Sequence, residues 1–158
     1  MEFRSRAVRS LVELHEKELR SFLEVWKRFV AAGLPMPEAR GDADYVDRER
    51  LAGHVLMAAR RYLTRIGEWV GRAVSDVDAS EDAYDIVTRA PEFANQLLAA
   101  YRRHLAEISD QEFEPQIHRA RSGEHMSVEQ LLEHAVVHPM RHRIQLERIL
   151  ESSGAMRA

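Results

Sequence analysis

At 158 residues, with 45% hydrophobic and 31% charged side chains, the chain can bury a core without staples and is neither disordered nor fibrous. It contains no cysteine, which excludes disulfides, thiolate zinc sites and a cysteine nucleophile of its own. With 23 basic residues against 26 acidic ones the net charge is -3, so no general attraction to nucleic-acid phosphates is expected. No stretch approaches the ~20 apolar residues of a membrane span, and the N-terminal segment lacks the apolar core of a signal peptide. The expectation is a soluble cytoplasmic protein forming one domain over residues 1–158, with a small-molecule substrate and no nucleic-acid or membrane partner.

Apolar residues recur at helical spacing almost throughout, and strand-like alternation is nearly absent. The stripe Phe3, Ala7, Leu11, Leu14, Phe22, Trp26 and Phe29 predicts a first helix over about residues 2–32. Gly33, Pro35 and Pro37 stop it. After a polar stretch, Asp44 or Asp47 can cap a second helix, whose stripe is Leu51, Val55, Ala58, Tyr62, Ile66, Trp69 and Ala73. Residues 74–90 are acidic and irregular and read as a long connection with one short helical piece. Pro91 suits a first helical position, and Ala94, Leu97, Tyr101, Leu105 and Ile108 mark the third long helix. Residues 113–124 form another irregular link. Ser127 and Gln130 then have capping-box spacing at the start of a fourth helix that reaches Ser152, with Gly154 just beyond. Four such helices make an all-α four-helix bundle. The second and third links exceed ordinary helix-to-helix lengths, which points to a long crossover connection.

The chemistry concentrates in the last helix, where His134, His138 and His142 follow one another at four-residue intervals. With 100° per residue and His138 at zero, Leu131 and Ile149 fall near ~20°, His142 near ~40° and Leu146 near ~80°. His138 and His142 therefore sit within the apolar stripe, and His134 lies at its edge beside Gln145. Buried imidazoles with unpaired nitrogens cost on the order of 1–3 kcal/mol each. A divalent metal resolves that cost by accepting one nitrogen from each ring, and His at i and i+4 is the spacing zinc-binding helices use. A third ligand must come from another helix, and His54 is the one histidine of the second helix.

The other histidines, His15, His104, His118 and His125, read as helix flanks or loop residues, and Arg60, Arg61, Arg102 and Arg103 as solvated helix faces. Pro139 removes the amide that would bond the Ala135 carbonyl. Either the helix kinks between His138 and His142 or a new helix begins at Pro139, and a kink reads either as incidental or as a device that aims His138. No Glu-x-x-His, His-Glu-x-x-His, Gly-x-Ser-x-Gly, Walker or Gly-x-Gly-x-x-Gly pattern occurs.

An isolated histidine early in the second helix, followed by His134-x3-His138-x3-His142-Arg143-x-Gln145, resembles the DinB/YfiT-like superfamily over nearly the whole chain. The resemblance implies a four-helix bundle with an up-down-down-up course and a metal site built from His54, His138 and His142. It also implies zinc, nickel or a similar divalent ion, and for some members a low-molecular-weight thiol such as bacillithiol or mycothiol. Two departures stand out: Ile144 occupies a position where the family often has glycine, and Pro139 one where an acidic or amide residue is frequent.

Two functions follow. One is a metal-dependent S-transferase or hydrolase in which His134 is the general-base candidate and Arg141 and Arg143 can hold an anionic substrate group. The other is a non-catalytic, stress-related bundle that binds a partner or forms a homodimer and carries a structural or incidental metal.

Overall fold

The computed structural model describes residues 2–36, 46–113, 117–119, 123 and 125–154. Four long helices dominate: α1 (Arg6–Ala31), α2 (Arg48–Trp69), α4 (Ala90–Leu105) and α6 (Val128–Ser152). Between them lie α3 (Ala83–Thr88), α5 (Asp110–Phe113) and a two-residue antiparallel pair, β1 (His118–Arg119) with β2 (His125–Met126). The all-α reading holds, with this small ladder as an addition in the last link. Among the described residues no helix is long and apolar enough to cross a membrane.

Local chemistry sets the helix ends. The buried Ser5 caps α1 by accepting from the Val8 amide at 3.3 Å, so α1 begins at Arg6 and not at Glu2. Gly33, at φ 64, supplies the left-handed residue just past the end of α1. Asp47 caps α2 through the Arg50 amide at 2.6 Å; the alternative cap, Asp44, lies outside the described residues. Pro91 falls in the first turn of α4, where its missing amide costs nothing. Ser127 and Gln130 form the expected reciprocal capping box at the start of α6.

The helix directions follow from which side chains meet. Arg20 reaches Asn95 while Arg102 reaches Glu16, so α1 and α4 are antiparallel. His15 meets Ala135 and Glu18 meets Arg143, so α1 and α6 run parallel. His54 lies against His142 and Tyr62 against His134, so α2 and α6 are antiparallel. The course is therefore up-down-down-up, and the link carrying α3 provides the crossover between two helices that point the same way.

One cluster of buried side chains draws on all four long helices, with Phe22, Phe29, Leu51, Phe93, Tyr101 and Leu146 among its members. In α1 the buried line is Val8, Val12, His15, Leu19, Phe22 and Phe29, and it corrects the expected stripe. Ala7 and Leu14 face outward, Leu14 at 45% exposure. The connection after α2 is pinned by Arg60, which was expected on a solvated face. Its guanidinium is instead buried, donating to the carbonyls of Asp78 and Ser80 and pairing with Glu81. Arg102 and Arg103 do lie on exposed faces, where they pair with Glu16 and Asp76.

Gly53 lets α3 dock onto α2 immediately before His54. A Cβ at this position would lie 2.5 Å from the Ala83 Cβ and 2.7–2.8 Å from its backbone atoms. The obstacle is backbone and cannot rotate away. Gly53→Ala should therefore destabilise the fold by about 1–3 kcal/mol, although alanine is the better helix former. Urea denaturation checks this, and a stabilised variant would show that α3 is not seated there.

Candidate metal centre

His54 stands in the second turn of α2, half-buried, and faces α6. His138 and His142 lie one turn apart on α6, at 8% and 0% exposure. The three rings converge: one nitrogen from each lies within 4.8 Å of the others, and His54 Nε2 is 3.0 Å from His138 Nε2. Ring centroids are 4.8–5.6 Å apart. His134 lies outside this group, exposed, with its ring 5.5 Å from Tyr62.

Gln145, one turn after His142 on the same helix, supports that ring. Its Oε1 accepts from His142 Nδ1 at 3.3 Å, which leaves Nε2 as the lone-pair nitrogen of that ring. Burial pushes His138 down to about 3, and the neighbouring His142 and His54, then Arg141 and His134, act in the same direction. His138 Nδ1 is buried without a hydrogen-bond partner among the described residues.

These donors fit a divalent cation. Two nitrogens bound about 2.0–2.1 Å from one tetrahedral ion lie roughly 3.3 Å apart, close to the His54–His138 spacing. Without a cation, that approach requires one imidazole to donate to the other. Among the described residues the cluster holds three histidines and no carboxylate. Three histidines are a donor set that, around a tetrahedral ion, leaves a coordination position for a small molecule.

The helix bearing two of these histidines runs unbroken through Pro139. Pro139 has no amide to offer the Ala135 carbonyl, and His15 takes that place. His15 Nδ1 donates to the Ala135 oxygen at 2.8 Å. Its ring rests on Tyr101 with centroids 4.3 Å apart, and the Tyr101 hydroxyl donates to the Ala59 carbonyl on α2 at 2.7 Å. A connection through the core thus joins the two helices that carry the histidine cluster. His15, expected on a flank or loop, is fully buried, and desolvation lowers it from 6.5 to about 4.

The remaining polar residues have structural partners. Arg143 is held by Glu18 and Glu147, which ties α6 to α1 and leaves Arg141 as the exposed arginine beside His142. His104 bonds Asp76 at 2.6 Å, and His118 stacks on Trp69. Tyr62, expected only as a stripe residue, lies edge-on to both His134 and His138.

A family model described as the DinB family matches residues 45–158. The chain belongs to the DinB family. Comparison with curated proteins and with solved structures gave no match.

Proposed function

We propose that this DinB-family chain is a metal-dependent enzyme in which His54, His138 and His142 hold one zinc- or nickel-like divalent ion. The observation that carries the reading is the convergence of three imidazoles from two helices, with no cysteine or carboxylate joining the group among the described residues. Such an ion supplies Lewis acidity and lowers the pKa of whichever water or thiol it binds. The chain's own residues do the rest. Gln145 fixes the tautomer and orientation of His142. His134, exposed and one ring away from His138 through Tyr62, is the general-base candidate.

Because the chain has no cysteine, a sulfur nucleophile has to come from an external thiol. We favour thiol transfer to a small electrophilic substrate, with hydrolysis as the related alternative. The assay pairs metal-loaded protein with bacillithiol, mycothiol, glutathione or no thiol, and with a panel of electrophiles and esters. Thiol-dependent turnover that disappears in His142→Ala supports the transferase, and turnover without thiol supports a hydrolase. If neither occurs, the non-catalytic bundle is favoured, and sedimentation would then test for a homodimer.

A further inference from the structure

Beside the histidine cluster lies a cavity of about 880 Å³, within the range of small-molecule sites. Tyr62 and His134 both line it, and the Tyr62 ring is 5.9 Å from that of His138, so a single side chain separates the cavity from the cluster. Its apolar lining includes Val77, Met126 and the buried Leu131.

Its charged lining is uneven. Arg60, Arg61 and Arg65 face only Glu68 and Glu81, which leaves one positive charge in excess. These arginines are not equivalent. Arg60 is buried and committed to two backbone carbonyls and Glu81, so it is scaffold. Arg61 pairs with Glu81 at 3.1 Å and Arg65 with Glu68 at 2.8 Å, and all four of these side chains are at least a third exposed. Exposed pairs of this kind are worth about 0–1 kcal/mol. A ligand carboxylate can displace Glu68 from Arg65, and the Oε2 of Glu81 from Arg61, at little cost while the other Glu81 oxygen stays on Arg60. The planar guanidinium forks match the ligand's two oxygens.

We propose that this cavity binds a singly charged organic anion with an apolar body, its carboxylate at Arg61 and Arg65 and its chain against Val77, Met126 and Leu131. That makes an amphipathic carboxylate the substrate class of the proposed metal centre. Its catalytic meaning rests on the three-histidine reading; the binding itself needs no metal.

The test uses the full chain, metal-free and zinc-loaded, titrated by calorimetry with octanoate and with octanol. Side-chain resonances of Tyr62 and Met126 are followed in parallel. Octanoate should bind at least about tenfold more tightly than octanol, a difference of about 1.4 kcal/mol, and should shift both residues. That preference should vanish in Arg61→Glu/Arg65→Glu and in the milder Arg61→Ala/Arg65→Ala. Equal affinity for the two probes, a preference that survives both variants, shifts confined to other residues, or no binding of either probe would overturn the proposal. Octanoate binding in a protein that takes up no zinc would uphold the cavity while removing the metal reading.

Discussion

Alanine at His54 or His142 should weaken zinc binding by more than about 100-fold in calorimetry, because in the proposed site each supplies one of three protein donors. Even an orienting neighbour of a metal ligand is worth about 10–100-fold, so Gln145→Leu should fall in that lower range and leave the site weakened but present. His54 gives the cleaner test, since it is half-buried while His142 is fully enclosed. A second readout separates ligation from packing. Zinc at 100 times its dissociation constant should stabilise the wild-type fold by about 2.7 kcal/mol and should leave the His54→Ala fold unchanged. Zinc affinity that survives the loss of His54 would remove the three-histidine centre.

The second large effect is expected at His15. His15→Leu leaves the Ala135 carbonyl buried with no donor, at a cost on the order of 1–3 kcal/mol. Pro139→Ala restores a helical amide to that carbonyl, so the same His15 substitution should cost much less in that background. A double-mutant cycle in urea should show a coupling of about 1–2 kcal/mol, and strict additivity would refute the compensation.

The pH dependence has a definite sign. The unfolded His15 binds a proton below about 6.5, whereas burial holds the folded group near 4. The stability linked to His15 is therefore complete above pH 6.5 and is lost as pH falls from 6.5 towards 4. The difference across that window is about 3 kcal/mol for a shift of this size. His15→Leu should flatten this part of the stability profile, and an unchanged slope would show that His15 is protonated in the fold.

The histidine cluster was legible because its information is local or nearly so. His138 and His142 announce themselves by spacing and by sharing the apolar stripe with Leu131 and Leu146, and His54 is the one histidine on its helix. The capping box at Ser127 is equally local. The His15–Pro139 compensation was not legible in the same way. Each residue is locally unfavourable, and only the parallel packing of α1 against α6 turns the two into a matched pair. The same difficulty displaced the α1 stripe, since a histidine in the middle of a buried line looks like an interruption until its partner is visible. Arg60 was misread for a related reason: the carbonyls that bury its charge belong to a link with no periodicity of its own. Gln145 carried a signal, three residues after His142 on the same helix, that could have identified it as the support for that ring.

The parallel placement of α1 and α6 also bears on folding kinetics. The His15–Ala135 contact closes a loop of 120 residues, far longer than the local contacts that let most helical bundles fold quickly. His138 and His142 lie on that same helix, whose docking across so long a loop is expected to come late, whereas His54 belongs to α2. An ion held between α2 and α6 should then contribute after the folding barrier. Zinc is expected to slow unfolding severalfold while leaving the refolding rate nearly unchanged. For such a protein the metal would lengthen the lifetime of the folded state without hastening its formation.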